Sequence, residues 1–230
     1  MGTVASRAWS TLSRHVPRTV SRPDLFLLLS LLFVMFIYPV LERTGLGRVI
    51  VGFAIFVPLI FATIEMAELK GWGWRALLLI GCILVLSVVG AMTPNPIITS
   101  AKWAFVAVLL LLSVMALFSY LWGAHVVNSV HLYTATSIYL LLAFFWFALY
   151  SAIDAVYPAA FLHSATGPSD RPSDLLYFSL ITLTTSGYGD ILPVSGEVRM
   201  LAAVEAVTGV LYVAILVALL VSAYRQPRNS

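Results

Sequence analysis

A chain of 230 residues that is 61% hydrophobic and only 10% charged cannot fold as a water-soluble globule, since soluble domains carry charge on about a quarter of their residues. Its formal net charge of +3 does not mark a nucleic-acid surface, because the basic residues stand mostly at the ends of apolar segments, which is the pattern of membrane orientation. The single cysteine, Cys82, lies inside an apolar run, so no intrachain disulfide can form.

Arg7, Arg14, Arg18 and Arg22 precede the first apolar run. Residues 1–23 are therefore expected to form a basic cytoplasmic segment, either a helix lying on the anionic inner leaflet or a solvated tail, with Pro17 interrupting any helix. No small-x-small cleavage site follows promptly, so the run reads as an uncleaved first transmembrane helix. The apolar pattern gives six spans, at 24–41, 48–67, 75–92, 102–122, 134–156 and 198–224, each near the roughly 20 residues a bilayer requires. Four of them make a peripheral domain over 24–122, a linker covers 123–133, the last two belong to a second domain over 134–224, and 225–230 form a short cytoplasmic tail. Between Trp103 and Trp122 there is no Arg or Lys. The fourth span thus lacks the charge ladder of a voltage sensor, in which each charge moved through 100 mV supplies about 2.3 kcal/mol. With the amino terminus inside, Lys and Arg number eight on the cytoplasmic side and five outside, which favours a multi-pass protein of the cell membrane with both termini cytoplasmic. Between the last two spans, residues 173–185 are amphipathic but too short to cross. They read as a re-entrant helix beginning after Pro172, with Ser173 or Asp170 as its cap.

Residues 184–190 read Thr-Thr-Ser-Gly-Tyr-Gly-Asp. Irregular backbone at membrane depth must be buried in protein or line an aqueous path, so this glycine-rich turn is expected to face a pore. Gly187 and Gly189 can take left-handed dihedrals that let successive carbonyl oxygens point to one side. Four such strands around an axis would replace the water shell of a K⁺ ion. One loop per chain cannot close that ring, so the expected active form is a homotetramer.

The segment resembles the signature of the potassium channel family, usually Thr-Thr-Val-Gly-Tyr-Gly-Asp, at six of seven positions, Ser186 standing where valine or isoleucine is usual. Leu176 to Asp190 is similar to the LYFSxxTLTTxGYGD pore of small bacterial ion channels, and the resemblance extends over roughly 134–224. It implies an all-α membrane fold of six transmembrane helices with a pore helix and a selectivity-filter loop. By the same resemblance, the carbonyls of Thr185, Ser186, Gly187 and Tyr188 hold K⁺, with Gly189 closing the turn and Thr184 supporting it. Tyr188 packs on Tyr177 or Phe178, and Asp190 accepts a hydrogen bond from Tyr177 behind the filter. Gly209 stands where the family often has an inner-helix hinge, with close helix packing as the plainer reading.

Glu205 lies about a third of the way into the last span, where an ionisable group is costly. A hydrogen bond to the re-entrant helix, at Thr182 or Thr184 for example, is the expected compensation, with protonation coupled to gating as the alternative. His125 and His131 are candidate sensors of internal pH, against an unremarkable role in a polar linker. No His, Cys or carboxylate cluster offers a nucleophile with a base or a metal-binding spacing, so neither an enzyme nor a cofactor other than permeant K⁺ is expected. The expected partners are other copies of the chain and membrane lipids, with no nucleic acid. The sequence leaves open a weakly selective monovalent cation channel and a non-conducting regulatory membrane subunit.

Overall fold

The computed structural model describes residues 23–41, 58, 60, 73–93, 95–122, 129–163, 167–168 and 172–224. Its helices are α1 (Pro23–Leu41), α2 (Gly73–Met92), α3 (Pro96–Trp122), α4 (Ser129–Val156), α5 (Pro172–Leu183) and α6 (Gly196–Tyr224). Three of these are long and apolar enough to cross a membrane, namely α3, α4 from His131 and α6 as far as Leu219. The apolar parts of α1 and α2 are shorter, Leu25–Leu41 and Leu77–Gly90. The segments expected at 1–22 and 225–230 lie outside the described residues, as does the span expected at 48–67 apart from Pro58 and Ile60.

Helix boundaries depart from the apolar pattern where caps decide them. Helix α3 begins at Pro96 and not at 102, because the Asn95 side chain accepts a hydrogen bond from the Ile97 amide at 2.8 Å and proline suits the first helical position. Similarly α6 begins at Gly196, where Ser195 Oγ accepts from the Val198 amide at 3.3 Å. Helix α4 starts at Ser129, within the segment read as linker, and α5 ends at Leu183, before the turn.

The helices pack around α4. Helix α3 makes the most extensive contact with it, α1 lies on another side, and α2 packs on α3. Leu27 and Leu31 of α1, Leu109 and Leu117 of α3, and Ile138, Leu141 and Phe147 of α4 form the dry centre of this layer. Trp103 meets Phe147 edge-on at 5.1 Å between ring centroids, a geometry that aromatic quadrupoles favour. Outward faces stay apolar, with Phe33, Phe36, Val85 and Met92 all exposed, as lipid-facing surface requires.

The all-α expectation omits one feature, a three-stranded antiparallel sheet of β1 (Phe161–His163), β2 (Gly167–Pro168) and β3 (Ile191–Pro193) in the order β2-β1-β3. Its strands are two or three residues long and two of them contain proline, so no alternating pattern reveals them. The sheet is small but well placed. It pairs Leu162 with Leu192 and adds a 2.9 Å bond from the Val194 amide to the Ala160 carbonyl, tying the chain just after Asp190 to the end of α4.

Candidate functional site

Helix α5 is held between α4 and α6 in a regular register. Tyr139 on α4 donates to the Leu183 carbonyl at 3.3 Å, and Ser179, four residues earlier on α5, meets the Ala143 carbonyl, four residues later on α4, at 2.8 Å. The two helices therefore run antiparallel. On the other side, Gly209 of α6 lies so close to the C-terminal end of α5 that a Cβ built there would overlap the Leu183 carbonyl oxygen. Tyr212, one turn further along, donates to the Ala135 carbonyl at 2.6 Å and closes α6 onto α4.

A helix end leaves four carbonyls without intrahelical partners, and all four at the end of α5 are engaged. The Leu180 carbonyl accepts from the Thr184 amide at 3.1 Å, the Ile181 carbonyl from Ser186 at 2.8 Å and Gly187 at 3.2 Å, and the Thr182 carbonyl from Thr185 at 2.9 Å. Leu183 receives the Tyr139 hydroxyl. Four successive amides of the turn, Thr184 to Gly187, are thus directed back at α5. Among the described residues, no hydrogen bond reaches the carbonyl oxygens of Thr185, Ser186, Gly187 or Tyr188.

Backbone handedness alternates along the same residues. Thr185, Gly187 and Gly189 have φ of +57°, +47° and +77°, whereas Ser186 and Tyr188 between them do not enter the positive range. Left-handed dihedrals at the two glycines follow from their lack of Cβ. Thr185 was not foreseen as a third such position, because a β-branched residue at positive φ is a conformational outlier that costs on the order of 1–3 kcal/mol. Ser186 makes a hydrogen bond that valine or isoleucine could not. Since the single Thr184 hydroxyl proton goes to the Leu180 carbonyl at 2.7 Å, Ser186 Oγ, 3.1 Å from Thr184 Oγ1, is the donor of that pair.

The aromatic surroundings differ from expectation. Phe178 faces the core, where Tyr150 and Phe161 each lie 5.3 Å from it and 5.4 Å from each other in edge-to-face contact. Tyr188 is 74% exposed, and among the described residues its ring forms no aromatic pair with Phe178, whose ring contacts are Tyr150 and Phe161. Partial burial and then the hydrogen-bonding Asp190 carboxylate push the Tyr177 phenol up to about 12, and Asp190 also accepts from the Ile191 amide at 3.2 Å.

Glu205 is fully buried under the aromatic triangle. Its Oε2 accepts from the Tyr150 hydroxyl at 2.6 Å and its Oε1 lies 2.5 Å from Ser179 Oγ. The contact to α5 is made at Ser179, not at Thr182 or Thr184. Gly209 fixes the reason: it abuts Leu183, and one turn back on both helices brings residue 205 opposite residue 179. Tyr150 as second partner had no local signal, because its position opposite Glu205 depends on the antiparallel pairing of α4 and α6. His131 is buried and stacked on Tyr120 at 5.5 Å with ring planes 8° apart, and His125 lies outside the described residues.

Residues 108–226, just over half of the chain, match the model of the ion channel family. The chain belongs to that family. The match begins in α3 and takes in α4, α5, the 184–190 turn and α6, so the turn of this channel and the helices that position it all lie inside the matched region. No curated protein matches the channel, and no solved structure does.

Proposed function

We propose that this ion channel conducts K⁺ selectively and passively, with the backbone carbonyls of Thr185, Ser186, Gly187 and Tyr188 as ligands. The observation that carries the reading is the alternating handedness of Thr185 to Gly189 combined with amides bonded back to α5 and carbonyls without hydrogen-bond partners among the described residues. Neutral oxygens in that arrangement suit a monovalent ion that must bind, shed water and leave again. Asp190 and Tyr177 then brace the loop from behind.

Four copies around an axis complete the ring in this proposal. In α6 only 17% of the most apolar stretch is buried, against 67% in α4, and Val207, Val210 and Val217 are among its exposed residues. That apolar surface and the exposed Tyr188 fit contact with neighbouring copies and lipid. The arrangement retains six spans per chain, both termini in the cytoplasm, and α1 to α3 at the periphery without a voltage-sensor charge ladder.

Reconstitution of the purified protein in liposomes tests the reading. K⁺ flux exceeding Na⁺ flux by more than about tenfold is the expected result. Equal fluxes would establish a weakly selective cation channel, the reading that Ser186 favours, and no flux under varied pH and voltage would establish a non-conducting subunit. In the same assay Ser186→Val is expected to keep the K⁺ preference and slow the decay of conduction, because a stiff β-branched side chain replaces the smaller hydroxyl that bonds to Thr184. Unchanged decay would remove Ser186 from the control of filter collapse.

A further inference from the structure

We infer that Glu205 works as a neutral carboxylic acid, donating a hydrogen bond to Ser179 and so positioning the pore helix between the outer and inner helices. The inference concerns how the proposed pore is held and in that sense rests on it, but the proton count behind it does not.

Three short contacts meet at this point, Ser179 Oγ to the Ala143 carbonyl at 2.8 Å, Ser179 Oγ to Glu205 Oε1 at 2.5 Å, and the Tyr150 hydroxyl to Glu205 Oε2 at 2.6 Å. A short, direct hydrogen bond uses a proton of its own, since a proton shared between two acceptors gives two longer and weaker bonds. Serine and tyrosine hydroxyls bring one apiece, and the carbonyl brings none. Two protons cannot serve three bonds, so the third belongs to the carboxyl. With Oε1 protonated, Glu205 donates to Ser179, Ser179 donates to the Ala143 carbonyl, and Tyr150 donates to Oε2. Every polar atom is then satisfied in a single direction of donation. Were the carboxyl ionised, Ser179 would have to abandon either α4 or α6.

The surroundings agree with that count. Glu205 is fully buried, and among the described residues its hydrogen-bond partners are the two hydroxyls, with no basic side chain paired to it. Among the described residues the titratable groups facing it are Tyr150 and, at longer range, Tyr139, both from α4, while its partner on α5 is Ser179. A buried carboxylate without a counter-charge is strongly disfavoured, whereas a buried acid with donor and acceptor both used is not. Glu205 touches neither the loop backbone nor any expected ion position. It acts through Ser179, four residues before Leu183 and the start of the loop, and is therefore a positioning residue.

Infrared difference spectra of the assembled full-length protein in membranes, wild type minus Glu205→Gln, test the proton directly. A protonated-carboxyl carbonyl band at neutral pH, lost in the variant, is the expected result, and a carboxylate band in its place would overturn the inference. Glutamine keeps all three hydrogen bonds, its amide nitrogen donating to Ser179 and its oxygen accepting from Tyr150. Hence Glu205→Gln should retain the K⁺-to-Na⁺ flux ratio within about twofold, while Glu205→Leu, which strands both hydroxyls, lowers it by about tenfold or more or prevents assembly. If glutamine is as damaging as leucine, the charge matters and the inference fails. Should wild-type protein pass no ions, the potassium reading fails, and the infrared band still decides whether Glu205 carries its proton.

Discussion

Gly209→Ala is expected to abolish cation flux and lower the thermal stability of the assembly. A methyl group there overlaps the Leu183 carbonyl oxygen and comes within 3.2 Å of Leu183 Cδ1. The carbonyl cannot retreat freely, because it ends α5, accepts from Tyr139 at 3.3 Å and precedes the loop by a single residue. Overpacking of this kind costs about 1–3 kcal/mol, and α6 can relieve it only by moving off α5. Such a movement also pulls Glu205 away from Ser179, one turn back along both helices. Thermal unfolding and liposome flux of the variant check the result. A variant as stable as wild type, altered only in open probability, would instead make Gly209 a hinge whose contact with Leu183 is dispensable.

Gly187→Ala should leave folding intact and remove conduction. Nothing lies within 4 Å of a Cβ added at Gly187, so the substitution meets no steric obstacle inside the chain. Its cost is conformational. Gly187 has φ of +47°, where a residue with Cβ pays about 1–2 kcal/mol, and in the proposed tetramer four strands pay together. The loop is expected to escape to negative φ and rotate the peptide planes on either side, taking carbonyls away from the axis. We expect K⁺ flux to fall by more than about a hundredfold with circular dichroism and assembly size unchanged. Gly189→Ala, at φ +77°, serves as an independent repeat. Retained selectivity in both variants would contradict a coordinating role for this backbone.

Much of this arrangement was legible in the sequence because its signals are local. The glycines at 187 and 189 announce left-handed backbone, Pro172 opens α5, and the acid at 205 in an apolar helix demands a buried partner. Other features depend on how distant elements cross. Ser179 and Tyr150 become partners of Glu205 only after Gly209 sets the approach of α5 to α6 and Tyr139 sets that of α5 to α4. Thr185 takes positive φ against its own preference because flanking bonds to α5 impose it, and no propensity foretells such strain. The short sheet next to Asp190 was invisible for the opposite reason, its strands being too brief to alternate. The exposure of Tyr188, 74% beside the loop, is consistent with the proposed contact between neighbouring copies.

The most direct measurement is a density map of the purified assembly in K⁺. A fourfold ring of chains with a column of axial density at the level of the Thr185, Ser186, Gly187 and Tyr188 carbonyls, reduced when Na⁺ replaces K⁺, is the expected result. A lone protomer, or a ring whose axis is empty at that level in K⁺, would contradict the account.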